Sequence, residues 1–363
     1  WASRTTATGE QAMESISERK LEHLELCVHE DVGFRTKSPL FECVMLQHDA
    51  LPELDLAAID LTCQLWGKNL RAPFVIAAMT GGNEHAGKIN RELASIAEER
   101  GYAFGLGSQR PALNHPETLG SFQVRDVAPT TLVLGNIGVV QASQMTHQAV
   151  AELANSVGAD ALCVHLNPAM ELIQAEGDRD FRGNLNKLAE LSRFLSIPVV
   201  AKETGCGISL SVARRLIEQG ICNVDVSGAG GTSWVAVEYH RTSEARRELA
   251  KTFWDWGIPT AASVAMCVSQ GMKIVFATGG VTSGLDAARA IVLGASAVGI
   301  ARPLLRVLAS EGRAGASAFM ERIETELRMA MLLVGAADLE ALRRCPKVIA
   351  DPLRTWLQFG PAS

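Results

Sequence analysis

The chain has 363 residues, of which 47% are hydrophobic and 20% charged, and its formal net charge is -6. This acidic balance argues against a protein that grips nucleic-acid phosphates, and no apolar run reaches the length of a membrane span. The eight cysteines are scattered, without a CxxC pair, and we expect no signal peptide before the first motifs. We therefore expect reduced thiols in a cytoplasmic protein.

The first block of the chain, residues 1–71, is predicted to be an N-terminal extension. Residues 1–15 are polar and predict a flexible lead. The segment "ERKLEH" then places two adjacent cations, Arg19 and Lys20, in a short charged run. They form either a solvated helix face or a clamp that folds over a neighbouring site to hold a diphosphate. The spacing alone favours the solvated face.

From residue 72 onward, short apolar runs alternate with amphipathic segments. Eight runs, rich in small and β-branched residues, are typical of strands buried on both faces. They are "APFVIAAMTGG", "YAFGLGSQR", "TLVLGNIG", "ALCVHLNP", "PVVAKETG", "NVDVSGAGG", "KIVFATGG" and "AVGIARP". This alternation predicts an α/β protein, a (β/α)8 TIM barrel over residues 72–304. An open sheet stays an alternative, because periodicity does not prove that a sheet closes.

The segments between these runs carry helix signals. Thr146 is placed as an N-cap, and Gly158 is placed as the stop of the same helix. The connection from Gly231 to Lys273 is too long for one crossover and predicts an inserted loop and helix. Residues 305–363 predict closing helices, so the whole chain is expected to form a single domain.

Barrel enzymes build their sites where the strands end, and polar side chains recur there in this chain. The fourth run ends in His165 and Asn167. The fifth ends in Lys202, a buried charge that needs an anionic ligand unless it extends to the rim. The seventh and eighth runs end in "ATGG" and "GIARP", where barrels often bind a phosphate through backbone N–H groups. The pattern predicts an active site for a phosphate-bearing ligand.

Taken together, these motifs resemble those of the type 2 isopentenyl-diphosphate isomerases, which are FMN-dependent (β/α)8 barrels. The resemblance extends from about Arg19 to the C-terminus. The shared segments, in chain order, are "RKLEH", "AAMTGG", "GLGSQR", "GNIG", "HLNP", "EGDRDF", "KETGCGIS", "SGAGGTSW", "DWGIPT", "TGG" and "GIARP". Single pieces such as "TGG" are common, but the joint match is specific.

The resemblance implies a role for each matching residue. Catalysis would involve His165, Lys202 and Trp234, with Met170 at the position of the family's catalytic glutamine, and Glu171 would hold Mg²⁺. The substrate diphosphate would be bound by Arg19, Lys20, Arg110, His165 and Asn167. FMN would be bound by Met79, Thr80, Ser108, Asn136, Lys202, Ser227, Thr232, Gly279, Gly280, Ala301 and Arg302.

The activity that the resemblance implies is the interconversion of isopentenyl and dimethylallyl diphosphate by proton transfer over a reduced flavin. The implied cofactors are FMN and Mg²⁺, with NAD(P)H as reductant, and the implied assembly is a homotetramer or octamer. An electron-rich reduced flavin can stabilise positive charge and exchange a proton, while Mg²⁺ neutralises the diphosphate.

One position departs from the family pattern. The family has "HLNP", one apolar residue and then "QE", whereas this chain has "HLNPAME", so Met170 replaces the glutamine. A thioether cannot donate a hydrogen bond and accepts only weakly. In the same region, Thr204 and Cys206 stand where the family more often has apolar residues. Cys206 is either a small buried thiol, which we favour, or a proton donor.

Three interpretations of this departure stay open. Isomerisation persists because the reduced flavin carries the protons, or the pocket now accepts another prenyl or allylic diphosphate, or the protein binds flavin without this activity. Two other classes compete with the isomerase. A 2-hydroxy-acid oxidase would share the FMN barrel but needs a histidine base paired with a carboxylate-binding arginine, and a non-enzymatic flavoprotein would bind FMN but no prenyl diphosphate.

Overall fold

The computed structural model describes residues 9–358, with side chains from Arg19 onward. Eight parallel strands close into a barrel, in which each strand pairs with the next along the chain and the last pairs with the first. The predicted (β/α)8 barrel is therefore confirmed, and the open-sheet alternative is wrong. The barrel strands are β4 Phe74–Ile76, β5 Ala103–Gly105, β6 Leu132–Gly138, β7 Ala161–His165, β8 Val199–Lys202, β9 Asn223–Asp225, β10 Ile274–Thr278 and β11 Ala297–Ile300.

Helices follow the barrel strands and cover the outside of the barrel. Thr146 caps a helix as predicted, because its side chain accepts a hydrogen bond from the backbone N–H of Ala149. The helices in this part of the chain are α2 Glu84–Arg100, α3 Arg110–Asn114, α4 Val139–Ser143, α5 His147–Ser156, α6 Pro168–Ile173, α7 Asn184–Phe194, α8 Leu210–Glu218, α9 Trp234–Arg241, α10 Glu244–Phe253, α11 Thr260–Ser269 and α12 Gly284–Val292.

The long connection between β9 and β10 contains more structure than the sequence predicted. It holds α9 and α10 in addition to α11, so two helices are inserted instead of one. Ser233 and Ser243 are the N-cap residues of these two helices, and serine is a favourable residue at that position. The inserted pair matters for the site because α9 begins with Trp234.

The N-terminal extension contributes a helix, two short hairpin strands and an edge strand. Helix α1 spans Gly9–His29, so residues 9–15 of the predicted flexible lead are helical, whereas residues 1–8 lie outside the described residues. Glu, Gln, Ala and Met, which favour helices, recur in this segment. Strand β1 Val44–Leu46 pairs antiparallel with β12 Lys347–Ile349, and β2 Cys63–Leu65 pairs with β3 Lys68–Leu70.

The β2–β3 hairpin packs against the barrel interior. Leu65 and Leu70 belong to one buried cluster with inward-facing strand residues such as Leu134 and Phe276, and Trp66 contacts the Phe276 ring edge-on. After β11 the chain forms α13 Arg302–Leu332, α14 Leu339–Arg344 and α15 Leu353–Gln358. These helices pack on the larger cluster between the barrel and its helical layer. The carboxyl ends of the strands are left to form a cavity.

Candidate active site

A cavity of about 280 Å³ lies at the carboxyl ends of the barrel strands. Every site residue that the sequence predicted lines this one cavity, including the pair from the N-terminal helix. Their roles stay predictions, but their convergence is observed. They are Arg19, Lys20, Met79, Thr80, Ser108, Arg110, Asn136, His165, Asn167, Met170, Glu171, Lys202, Ser227, Thr232, Trp234, Gly279, Gly280, Ala301 and Arg302.

The segment after β7 forms a short helix that presents a carboxylate. Asn167 adopts a left-handed conformation (φ 33°) and precedes Pro168, the first residue of α6, where proline fits a helix start. The Asn167 amide donates to Glu171 Oε1 at 3.0 Å, and the backbone N–H of Asp178 donates to Glu171 Oε2 at 2.9 Å. Glu171 is buried and forms no ion pair with another described residue. Its carboxylate is therefore fixed in orientation and keeps lone pairs that could bind a cation.

Two arginines hold the C-terminal end of α6 from outside the cavity. Arg179 donates to the backbone carbonyls of Glu171 and Gln174, each at 2.7 Å. Arg246 of α10 donates to the carbonyls of Ile173 and Gln174 at 3.3 and 3.0 Å. These contacts satisfy carbonyls that a helix end leaves unpaired. They connect the inserted helix α10 to the helix that carries Met170 and Glu171.

His165 is held neutral beside the cavity. Its Nδ1 lies 2.9 Å from Asn136 Oδ1, while the Asn136 amide nitrogen donates to the carbonyl of Leu106. Because the amide oxygen can only accept, Nδ1 carries the proton and Nε2 is left to face other partners. Burial and, after it, the nearby cations Lys20, Lys202 and Arg110 together lower the pKa of His165 to about 3.

Lys202 has a partner that the sequence analysis missed. Its Nζ lies 2.7 Å from Asp225 Oδ2, and both side chains are buried. The sequence analysis expected the Lys202 ammonium either to pair with an anionic ligand or to extend to the rim of the barrel. Both expectations are wrong, because Asp225 on the neighbouring strand supplies the anion. Lys202 and Asp225 are paired residues in the β8–β9 register, which places the two side chains side by side.

Three cations meet in the cavity without an ion-pair partner among the described residues, although Glu238 and Glu171 lie near enough to raise the pKa of Arg19. Among the described residues, the side chains of Arg19, Lys20 and Arg110 make no hydrogen bond and no ion pair. Burial and, after it, the positive charges of Arg19 and Arg110 together lower the pKa of Lys20 to about 8. Burial and Arg110 also lower the pKa of Arg19. The solvated helix face that the spacing favoured is wrong, because α1 docks with this pair toward the cavity.

A buried hydrogen-bond network seats α1 on the barrel. Glu238 Oε1 lies 2.9 Å from His23 Nε2 and accepts a hydrogen bond from the Gln174 amide at 2.9 Å. Arg241 donates to the other oxygen of Glu238 at 3.1 Å. The His23 ring also contacts Trp234 edge-on, with ring centroids 5.4 Å apart. The network links α1, α6 and α9, which carry the cations, the carboxylate and the tryptophan.

The ends of β10 and β11 form a close-packed backbone cradle. Gly279 and Gly280 have φ angles of 109° and 76°, which favour glycine. A Cβ on Gly279 would lie 2.3 Å from the carbonyl oxygen of Gly228, so a side chain has no room. Helix α13 begins beside this turn at Arg302, and helix N-termini attract anions.

Three polar atoms of the cavity residues are buried without a partner. They are the hydroxyl of Thr80, one terminal nitrogen of Arg302 and Nε of Arg19. Buried polar groups are normally hydrogen-bonded, so these atoms indicate a polar ligand in the cavity. Gln141, Gln174, Thr278 and His23 also line the cavity, and the sequence analysis gave them no role. Thr278 lies within "ATGG" and His23 within "ERKLEH", so for these two the motif was noted but the residue was not.

Among the described residues, no helix combines the length and the apolar character that crossing a membrane requires. The same residues contain no group of three or more histidine, cysteine, aspartate or glutamate side chains arranged for a metal ion. A cation in this cavity would therefore use few protein ligands and depend on its other ligands, as Mg²⁺ does with phosphates.

The chain matches known proteins over most of its length. Residues 141–347 match the model of the FMN-dependent dehydrogenase family. The isopentenyl-diphosphate delta-isomerase of Methanothermobacter thermautotrophicus is 44% identical over 344 residues, covering 94% of this chain and 96% of that protein. The isopentenyl-diphosphate delta-isomerase of a Synechococcus species is 45% identical, covering 92% of this chain and 96% of that protein.

Solved structures with the same fold include a mandelate oxidase with a monooxide FMN adduct. It superimposes with a TM-score of 0.64 at 18% identity, covering 95% of this chain and all of that chain. This likeness concerns the fold alone.

Proposed function

Because the chain belongs to the family of FMN-dependent isopentenyl-diphosphate delta-isomerases, we propose that it interconverts isopentenyl and dimethylallyl diphosphate, with reduced FMN and Mg²⁺ in the cavity. The observation that carries this proposal is the cluster of Arg19, Lys20 and Arg110. Three partly buried cations, none of them in an ion pair with a described residue, repel one another unless an anion of high charge joins them. A diphosphate is such an anion.

The diphosphate would be bound by residues from three parts of the chain. Arg19 and Lys20 come from α1, Arg110 begins α3, and His165 and Asn167 follow β7. An arginine fork suits phosphate oxygens, and lysine acts as a point charge. His165 enters neutral, so its Nε2 donates to the diphosphate only after taking up a proton. Binding would therefore raise the lowered pKa values of His165 and Lys20.

Mg²⁺ would be held by Glu171 and the diphosphate. Both carboxylate oxygens already accept one hydrogen bond each, which fixes their orientation and leaves further lone pairs for the ion. When bound, the ion would neutralise diphosphate charge in a partly buried site. Asn167 and the loop at Asp178 position Glu171, and Arg179 and Arg246 hold the helix that carries it.

FMN fits the remainder of the cavity. The glycine turn at Gly279–Gly280 and the start of α13 would accept its phosphate, and the orphaned hydroxyl of Thr80 would bind a polar atom of the cofactor. Reduced FMN would supply an electron-rich ring that stabilises positive charge and a nitrogen that exchanges a proton. Lys202 would hold its charge beside that ring, with Asp225 fixing its position.

Met170 and Trp234 would form the less polar part of the site. The Met170 sulfur lies 3.9 Å from the Asn167 amide nitrogen, which is at most a weak contact. These side chains would pack against the isoprenoid carbons and exclude water from a cation-like transition state. We propose that the proton transfers do not require a polar side chain at position 170.

An anaerobic assay tests this proposal. The protein is reduced with dithionite or NADPH, and isopentenyl diphosphate is added with and without Mg²⁺, in parallel with Met170→Gln. Turnover by the wild type that depends on reduction and Mg²⁺ supports the proposal. An inactive wild type beside an active Met170→Gln variant would show that this protein no longer uses isopentenyl diphosphate as its substrate.

A second candidate function rests on Met170 itself. Replacing a glutamine by a thioether makes the wall of the cavity more apolar, which would favour another prenyl or allylic diphosphate. Competition among prenyl diphosphates of different length, read by displacement of a bound diphosphate, distinguishes the two candidates. Tighter binding of a longer chain favours the second.

The remaining expectations depend mainly on the family resemblance. We propose NAD(P)H as the reductant and a homotetramer or octamer as the assembly, which light scattering after size-exclusion chromatography would test. The eight cysteines are unpaired, which supports the proposed cytoplasmic setting, where thiols stay reduced.

A further inference from the structure

A second, smaller cavity lies beside the main one. Its volume is about 10 Å³, and Met170, Thr204, Gly205 and Trp234 line both cavities. Glu203 lines only the smaller one. These shared residues therefore form a thin partition between the main cavity and a buried carboxyl group that the proposed chemistry has not used.

The two carboxyl oxygens of Glu203 have different hydrogen-bond environments. It follows β8 directly and is 4% exposed. The backbone N–H groups of Thr204 and Cys206 both donate to Oε2, at 2.7 and 2.6 Å. Oε1 accepts no hydrogen bond from any described residue. One oxygen thus holds the loop after β8, and the other has no hydrogen-bond partner among the described residues, in a side chain whose residue lines the smaller cavity.

Thr204 provides the connection through the partition. A space of about 10 Å³ suits about one water molecule where polar groups line it, as Glu203 and Thr204 do here. Among the described residues the Thr204 hydroxyl has no hydrogen-bond partner, and a hydroxyl both donates and accepts. The Cys206 thiol instead contacts the carbonyl of Trp256 at 3.4 Å, and burial raises its pKa. Thr204 is therefore better placed than Cys206 to pass a proton.

The surroundings of Glu203 bring the pKa of its carboxyl group close to physiological pH. Burial raises the pKa of Glu203 to about 7, although the backbone N–H groups of Cys206 and Thr204 oppose that rise. Two charged groups act on it, Lys202 at the end of β8 and Asp225 at the end of β9, and Lys202 lowers the pKa while Asp225 raises it. Because Lys202 and Asp225 pair with each other, their effects partly cancel. Both the protonated acid and the carboxylate form of Glu203 are therefore populated at physiological pH.

We propose that Glu203 and Thr204 form a proton relay into the main cavity beside Met170. This inference rests on the proposed isomerisation and deepens it. In the forward direction the O–H bond of the Glu203 acid breaks, and its proton passes, directly or through one water, to the Thr204 hydroxyl. That hydroxyl gives its own proton to the terminal methylene carbon of the substrate. The π electrons of the substrate form the new C–H bond, so positive charge is left on the neighbouring carbon, and the substrate would then lose a proton from its second carbon to the nitrogen of reduced FMN. Glu203 is left as carboxylate and regains a proton before the next turnover, so the cycle involves no net oxidation or reduction.

Thr204 touches the main cavity and is the catalytic residue of the relay, while Glu203 acts through it. The relay supplies a proton on the side of the cavity where Met170 cannot. In the reverse direction the same path accepts the proton, so the reverse reaction requires the Glu203 carboxylate.

Two substitutions test the relay. Glu203→Gln keeps the loop in place, because both backbone N–H groups donate to one oxygen, which the amide oxygen replaces. Thr204→Val keeps the shape and removes the hydroxyl. Each is expected to lower the forward kcat about 10²-fold or more, with FMN affinity and KM little changed. Cys206→Ala is the matched control and is expected to stay near wild-type rate.

The pH profile separates a relay from a structural role. The wild-type forward kcat is expected to fall as the pH rises through about 7, the pKa of Glu203, and Glu203→Gln is expected to lose that limb. A Glu203→Gln variant with wild-type kcat and an unchanged pH profile would overturn the relay. Equal loss of rate in Cys206→Ala would also overturn it, because the loop as a whole would then be responsible.

Infrared difference spectroscopy gives a readout that does not need turnover. A carbonyl band of a buried carboxylic acid is expected to titrate at about pH 7, to vanish in Glu203→Gln and to shift in frequency in Thr204→Val. A missing band, or one that Thr204→Val leaves unmoved, contradicts the relay. If the wild type does not isomerise isopentenyl diphosphate, the proposed function fails, and the band still decides whether Glu203 and Thr204 are linked.

Discussion

Glu203→Gln also makes a quantitative prediction about folding stability. The side chain is 4% exposed, and burial raises its pKa from the ordinary value of 4.5 to about 7. A raised pKa means that the folded state prefers the protonated acid more than the unfolded state does. The stabilising contribution is therefore complete below about pH 4.5 and is lost as the pH rises through about 7.

The size of the effect follows from these two values. They differ by about 2.5 pH units, and about 1.4 kcal/mol per unit amounts to about 3 kcal/mol of folding free energy. The wild type loses this free energy between acidic and alkaline pH, whereas the Glu203→Gln variant, whose amide does not ionise, loses none. Every other titrating group is common to the two proteins, so the difference between them isolates position 203.

Denaturant unfolding at about pH 5 and about pH 8 measures this difference. Glu203→Gln is expected to gain about 2 to 3 kcal/mol on the wild type between the two pH values. The exposed Glu176→Gln is the matched control and is expected to show no such gain. If the free energy of unfolding changes with pH in the same way in Glu203→Gln and the wild type, the reasoning is refuted. The hydrogen bonds to Glu203 would then fully offset the effect of burial on its pKa.

Three further predictions concern the cations and the carboxylate of the main cavity. Glu171→Gln is expected to weaken Mg²⁺-dependent pyrophosphate binding at least about tenfold in calorimetry, because a hard cation loses a carboxylate ligand. Pyrophosphate affinity is expected to fall above about pH 8, by up to about tenfold per pH unit, as free Lys20 loses its proton, and Lys20→Arg is expected to remove that fall. Asp225→Asn leaves the Lys202 ammonium buried without its partner and is expected to destabilise the fold by about 3–5 kcal/mol, with partial recovery on adding Lys202→Met.

Each of these has an outcome that would contradict it. Unchanged Mg²⁺ dependence in Glu171→Gln would remove this carboxylate from the metal site. A flat affinity between about pH 7 and pH 9 would show that Lys20 is not coupled to the anion. Equal unfolding midpoints for Asp225→Asn and the wild type would show that the Lys202–Asp225 pair contributes nothing to folding.

The sequence predicted the barrel well because its signals are local. Each apolar run is a strand buried on both faces, and the site residues other than Arg19 and Lys20 come at or after the ends of such runs, so parallel strands bring them to one end. Thr146 likewise marks the start of α5, because its hydroxyl accepts the N-cap hydrogen bond from the backbone N–H of Ala149. Family resemblance added roles that no spacing could supply, including those of Met170 and Glu171.

The features that were missed depend on how distant parts of the chain meet. Lys202 finds Asp225 because of the β8–β9 register, which the separate strand patterns do not contain. Arg19 and Lys20 face the cavity because α1 docks there through His23 and Glu238, 215 residues apart in the chain. A charge run on a lone helix is solvated by default, and only the docked barrel makes this one part of a site.

The relay and the departure at position 170 bear on each other. By the family resemblance, Met170 stands on one side of the partition where a glutamine is expected, and the other side holds a buried carboxyl whose Oε1 has no hydrogen-bond partner among the described residues. If the glutamine of the family had been the sole proton carrier, its loss would reduce the rate by about 10²- to 10⁴-fold. A path through Thr204 would make that loss smaller in this chain. Combining Met170→Gln with Thr204→Val then becomes informative, since the glutamine should restore rate in the valine background more than in the wild type.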